Sequence, residues 1–390
     1  MGLSKQDHLD PAKGPKRILA LDGGGIRGIL TLQFLKTIET LVKQRLGDEA
    51  LLCDYFDLIG GTSTGSIIAA GLACGMTVEA LQELYRNIGA SVFQPGGLAK
   101  FLPKALQGKF APKFPADPLQ RELDKQLGAD TTLDSDRIRT GLMIMTKRLD
   151  TGSPWPLNNG ERGKYAAQDG ALRLTQIVRA STAAPTYFAP EEIAIQSRDG
   201  TSVLGAFVDG GVTPFNDPAL QLLMLAALQG HGFCWPMGKE RLLIISVGTG
   251  HYRQSRPTTM IVGDPAALQG LAALQSLMDD CERMNRTTLQ WLTNCLTPWL
   301  VDRAVGDMKR DSQAGPQLAT YVRYNVLLEG DWLKSELGLE LAPTKIEQIR
   351  KMDDPSTLSD LAELGRLAAA KQIKPEEHLP AIFDLAMAQA

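Results

Sequence analysis

Apolar and polar positions along this chain follow two rhythms that take turns. A short apolar run at residues 17–22 reads as a buried strand. Residues 23–28 form a glycine-rich turn. Over residues 29–46, Leu32, Leu35, Ile38 and Val42 then recur on one helical face. Residues 56–73 repeat the theme: apolar run, Gly/Ser/Thr turn, apolar run, which predicts strand, turn and helix. Further strands are predicted at 141–146, 203–208 and 242–247, with helices at 171–181 and 218–229 between them. This alternation predicts an α/β fold, a mainly parallel sheet with helices on both faces. After Gly250 the rhythm turns helical, with amphipathic stretches at 268–292 and 355–369 punctuated by Pro298, Pro316 and Pro343. The expected division is a flexible arm at 1–16, a catalytic core at 17–250, and a helix-rich part at 251–390 packed on that core.

Composition narrows the function classes. A length of 390 residues suits two or three domains, although α/β enzymes often hold it in one. The net charge of −3 lacks the basic surplus of a nucleic-acid binder, so no nucleic-acid partner is expected. Cys53, Cys74, Cys234, Cys281 and Cys295 are scattered without a C-x-x-C pair and read as reduced, mostly buried thiols of a cytoplasmic protein. The four histidines do not stand at metal-ligand spacing, and no metal or cofactor is expected. Residues 1–16 are polar, without the apolar stretch of a secretion signal. Residues 58–78 carry no charge and are long enough to span a bilayer. Their five glycines and Thr-Ser-Thr cluster suit a strand-turn-helix instead.

The turn at residues 61–65 (GTSTG) carries the sharpest chemistry. A serine between strand and helix has its hydroxyl pushed clear of the backbone, and Gly61 and Gly65 let the chain bend tightly around Ser63. The following helix start points free N–H groups towards developing negative charge. Such an elbow proposes acyl transfer from an ester; an ordinary turn is the plain alternative.

The glycine loop admits two readings. Residues 23–28 (GGGIRG) form a literal G-x-G-x-x-G between strand and helix, the context of a dinucleotide-binding site. That reading needs an acidic residue ending a second strand; Asp48 and Glu49 lie at the right distance but in a helix-to-strand connection. In the other reading, backbone N–H groups of Gly23, Gly24 and Gly25 form an oxyanion hole, with Arg27 and Gly28 completing the loop. Arg27 then supports the loop or attracts an anionic head group, or is simply a surface charge.

Two candidates compete as base. A Ser-Asp-His triad would use His231 or His251, both downstream of Ser63. Asp209 instead ends an apolar strand before Gly210 and Gly211, and its carboxylate projects from the sheet edge where the elbow serine is expected. An Asp-Gly turn between elements is the plain alternative there.

Five motifs in order make a resemblance specific: residues 22–28 (DGGGIRG), 61–65 (GTSTG), 180–188 (ASTAAPTYF), 209–211 (DGG) and 245–250 (ISVGTG), with a weaker echo at 321–325 (YVRYN). Together they resemble the patatin-like phospholipase family over roughly residues 16–250. The resemblance implies a three-layer α/β/α fold and lipid acyl hydrolysis by a Ser-Asp dyad without calcium. It assigns Ser63 as nucleophile, Asp209 as base, and the glycine loop as oxyanion hole. Compact bacterial members include phospholipases switched on by cyclic nucleotides in anti-phage defence. The resemblance therefore admits a membrane phospholipid substrate, a small cyclic-nucleotide activator and a homo-oligomer. With a carboxylate base, the pH–rate profile is expected to lack an essential inflection near ~6.5, the ordinary histidine value.

One segment hints at how lipid is reached. No acid falls between Glu83 and Asp117, and Arg86, Lys100, Lys104, Lys109 and Lys113 interleave there with Phe93, Phe101, Phe110 and Phe114. The stretch suits peripheral contact with an anionic membrane surface, or a lid, or a plain connection.

Overall fold

The computed structural model describes residues 3–91, 117–196, 200–253, 258, 262, 266–311 and 315–384. Nine strands form one sheet: β1 (Lys16–Leu21), β2 (Leu58–Thr62), β3 (Gly141–Arg148), β4 (Ser153–Asn158), β5 (Glu191–Gln196), β6 (Ser202–Asp209), β7 (Leu242–Val247), β8 (Asn294–Cys295) and β9 (Thr320–Tyr324). Their order is β5-β6-β3-β2-β1-β7-β9-β8, with β4 paired to β3. The block from β3 through β2, β1, β7 and β9 to β8 is parallel, whereas β4, β5 and β6 pair antiparallel. This is the α/β fold with a mainly parallel sheet that the alternation predicts.

The helices that matter here are α1 (Lys5–Leu9), α2 (Gly28–Leu46), α3 (Thr64–Ala73), α4 (Val78–Ser91), α5 (Leu174–Ser181), α6 (Ala219–Ala227), α7 (Ala266–Leu292) and α8 (Leu358–Gln372). Central strands bury both faces, so successive residues feed different layers. Leu19 and Leu21 of β1, with Leu243 and Ile245 of β7, pack under α2, α3, α4 and α8. Ile18 and Ala20, with Leu242 and Ile244, pack against α6 and Leu289 of α7. The result is three layers, α/β/α. Beyond Gly250, β8 and β9 extend this sheet and α8 lies along α2.

β3 sets the geometry of the site. It pairs with β4 through Met143 to Arg148, which fills one of its sides. On the other side β2 occupies the register up to Thr62↔Met145, and β6 takes over at Asp209↔Thr146. The C-terminal ends of β2 and β6 therefore meet head to head on adjacent residues of one strand.

Several expectations change. The first helix of its pair begins at Leu174 rather than at residue 171. Residues 3–16, expected as a flexible arm, include α1, whose buried His8 has Nδ1 2.9 Å from Asp57 Oδ1. Arg17 holds the same carboxylate through Nε at 2.8 Å and Nη2 at 3.0 Å, so one buried acid docks the arm. Of the cysteines, Cys53 is buried and Cys234 exposed, with the others half-buried. Lys100, Lys104, Lys109 and Lys113, with Phe93, Phe101, Phe110 and Phe114, lie outside the described residues; Arg86 is exposed on α4. No helix among the described residues is long and apolar enough to cross a membrane.

Candidate active site

The chain leaves β2 and enters α3 through Ser63, whose φ of 53° and ψ of −127° lie where L-residues rarely go. The bend closes because Gly61 and Gly65 lack side chains. A Cβ on Gly61 would strike the Gly65 carbonyl, and one on Gly65 would strike the backbone of Leu21 and Asp22. Four bonds hold the strained residue, one of them from the Ser66 N–H to its carbonyl at 2.8 Å. Its N–H donates to Ser181 Oγ at 2.9 Å, its carbonyl accepts from Ser66 Oγ at 2.5 Å, and its hydroxyl donates to Asp209 Oδ2 at 2.5 Å.

Asp209 is fixed from the other side. Its Oδ1 accepts the Gly211 N–H at 2.7 Å, and its own N–H donates to the Ala183 carbonyl at 3.1 Å. Gly210 has to be glycine, because a Cβ there would collide with the Met145 carbonyl. Burial pushes the Asp209 carboxyl up to about 6, against the pull of the hydrogen bonds from Ser63 and Gly211. That value makes it a stronger base than a free carboxylate near ~4, yet leaves it mostly ionised at neutral pH.

The glycine loop lies directly beside the elbow. A Cβ on Gly23 would come within 3.0 Å of Ser63 Cβ. The Gly23 N–H is already donated to the Asn216 carbonyl at 3.2 Å, and its carbonyl accepts from Thr249 Oγ1 at 2.8 Å. Among the described residues, the N–H groups of Gly24 and Gly25 have no acceptor. Gly25 sits at φ 61° against the Met352 carbonyl, which accepts the next N–H, from Ile26, at 2.8 Å. Gly28 opens α2 where a side chain would strike the Tyr85 ring, and Tyr85 Oη donates to the Thr64 carbonyl at 2.9 Å. Arg27 is buried, so it is not a surface charge; its Nη1 reaches the Arg350 carbonyl at 3.5 Å.

Behind the loop lies a buried charge network with no counterpart in the sequence reading. Arg323 of β9 grips Asp22 with both terminal nitrogens, at 2.6 and 2.5 Å, and donates to Ser246 Oγ at 2.6 Å. Asp217 Oδ2 lies 3.3 Å from Arg323 Nη1, and Asp217 Oδ1 accepts from Ser246 Oγ at 3.0 Å. Burial works against the Arg323 charge, but Asp217 and Asp22 outweigh it and hold the guanidinium protonated.

The remaining candidates fall elsewhere. His251 faces Asn325 Nδ2 at 3.2 Å and Arg286 Nη1 at 3.5 Å, and burial lowers its value to about 4. His231 sits in a short 3-10 turn, Gln229–His231, and makes no hydrogen bond to Ser63 or Asp209. A histidine triad is therefore not assembled. Asp48 and Glu49 are exposed in the loop after α2, away from a ribose position, and the strand beside β1 carries the elbow instead.

A strained serine bonded to a buried carboxylate, beside a loop with free N–H groups, is an arrangement that can carry out acyl transfer. The sequence model of the patatin-like phospholipase family matches residues 19–223, more than half of the chain, and the chain belongs to that family. A protein of Escherichia coli (strain TW11681) named cGAMP-activated phospholipase is 34% identical over 60% of this chain and 62% of its own length. One of the same name from Vibrio cholerae is 31% identical over 54% of this chain and 57% of its own. Patatin-like protein 1 of Arabidopsis thaliana is 31% identical over 60% and 58%. The chain thus spans about three fifths of the length of the curated relatives it matches.

Proposed function

We propose that this chain hydrolyses acyl esters of membrane phospholipids, with Ser63 as nucleophile and Asp209 as general base. The observation that carries this reading is the hydrogen bond from Ser63 Oγ to Asp209 Oδ2. Asp209 takes the hydroxyl proton as Oγ attacks the acyl carbonyl. The N–H groups of Gly24 and Gly25 donate to the oxyanion, and Arg27 and Gly28 keep that loop in shape. Collapse expels the lysolipid alcohol, which takes the proton back from Asp209. Water then attacks the acyl-enzyme, giving its proton to the same carboxylate; collapse breaks the Oγ–acyl bond, Ser63 takes that proton back from Asp209, and the fatty acid leaves. The names of the bacterial relatives support a cyclic-nucleotide activator for this chain, and we propose with it a membrane-degrading role at the cytoplasmic face of the membrane. Fatty-acid release from anionic vesicles, with and without cGAMP, tests the reading. Release is expected from the parent and not from Ser63→Ala or Asp209→Asn; release from Ser63→Ala would reject it.

A further inference from the structure

We infer that Ser181 is a positioning residue that holds Ser63 in its reactive geometry, an inference that rests on Ser63 being the nucleophile. Ser181 ends α5 and is fully buried. Its hydroxyl is used twice. Oγ–H donates to the Met145 carbonyl at 2.7 Å, and the oxygen accepts the Ser63 N–H at 2.9 Å. Met145 is the β3 residue paired with Thr62, and the next residue, Thr146, is paired with Asp209. The Ser181 hydroxyl thereby ties the strained elbow to the strand that sets the nucleophile–base separation. Two residues on, the Ala183 carbonyl holds the Asp209 N–H, so one short segment clamps both members of the pair.

Two consequences follow. The Ser63 N–H is committed to Ser181 and does not serve the oxyanion, which leaves that task to the loop of Gly24 and Gly25. And a buried N–H that loses its acceptor favours rotation of a strained residue towards another partner, which moves Oγ off Asp209.

The test compares Ser181→Ala, Ser181→Cys and Ser181→Thr with the parent and Ser63→Ala, using a short soluble ester and a fluorophosphonate probe across pH. Ser181→Ala is expected to lower kcat and the labelling rate ~10- to 100-fold with KM within ~2-fold, since alignment and not binding is lost. Its acidic limb should move to higher pH, because the Ser63 hydrogen bond that lowers the Asp209 carboxyl is weakened. A role confined to stability would lower Tm and leave that limb in place. Ser181→Cys, nearly isosteric but a weak acceptor, carries the same expectation should the alanine variant not fold. Ser181→Thr, which keeps the hydroxyl, should return the limb to its parental position. Parental labelling and an unmoved limb in both Ser181→Ala and Ser181→Cys would overturn the inference. An active Ser63→Ala would instead overturn the nucleophile assignment on which it stands.

Discussion

The two halves of the site are held by different forces. Ser63 and Asp209 are fixed by neutral hydrogen bonds, among them those with Ser181, Ser66, Ala183 and Gly211. The glycine loop on the neighbouring strand hangs from buried charge, with Asp22 at its root clamped by Arg323 and Asp217 alongside. The difference has a chemical sense. In its proposed role as base, Asp209 has to stay free to change protonation state, and surrounding it with uncharged donors leaves burial in control of its pKa. A loop that only presents N–H groups has no such need, and ionic anchoring fixes it without touching the reaction. Breaking a neutral contact near Asp209 should alter chemistry; breaking the ionic one should first cost stability.

The largest effects are expected in the neutral half. Ser63→Ala removes the proposed nucleophile, and ester hydrolysis should fall at least ~10⁴-fold; Asp209→Asn should cost ~10³- to 10⁴-fold. Both proteins should melt close to the parent or above it, which locates the loss in chemistry. Arg323→Met strikes the other half. It leaves Asp22 and Asp217 buried without their cation, and should destabilise by about 3–5 kcal/mol in denaturant unfolding. Adding Asp22→Asn and Asp217→Asn to it should recover part of that loss. An unchanged denaturation midpoint in Arg323→Met would contradict the ionic-anchor account.

pH sharpens the comparison further. Activity should rise with pH through a limb near 6, where the Asp209 carboxyl becomes a base. This places an inflection close to the histidine range, where a carboxylate base was expected to give none; burial supplies it. Stability runs the opposite way. The folded-state value of Asp209 is raised above its ordinary one, so the fold favours the protonated form. That stabilising contribution is complete below the ordinary value and is lost as pH rises from about 4 to about 6. Asp209→Asn, neutral throughout, should then be the more stable protein at pH 8, by up to about 3 kcal/mol, and match the parent near pH 4. The smallest effect concerns His251, which burial keeps neutral down to about 4. His251→Ala should leave the limb near 6 in place and change turnover less than ~2-fold; abolition of the limb would favour histidine as base.

The same contrast explains what the sequence made legible. Gly61, Gly65 and Gly210 flank Ser63 and Asp209 because backbone crowds those positions, and Gly211 because the Asp209 and Asn216 side chains do; glycines at fixed offsets can be read from letters alone. Strand periodicity likewise exposed β1, β2, β3, β6 and β7. The ionic anchor left no local trace: Arg323 lies 301 residues from Asp22, in a strand read only as a faint echo. Ser181 and Thr249 lie inside the motifs at 180–188 and 245–250, but each makes its contact through a single hydroxyl that spacing alone does not single out. β4 was not anticipated: it carries Pro154 and Pro156, which an edge strand tolerates because β4 pairs only with β3. β5 alternates buried Ile193 and Ile195 with exposed Glu192, Ala194 and Gln196 and was within reach of the period-two rule.

The most direct measurement is mass-spectrometric mapping of a fluorophosphonate adduct on the full chain, with vesicles present and with and without cGAMP. The account predicts one modified residue, Ser63, at a rate that falls steeply in Asp209→Asn and is unchanged in His251→Ala. An adduct on another serine, or labelling of Ser63 that does not depend on Asp209, would contradict it.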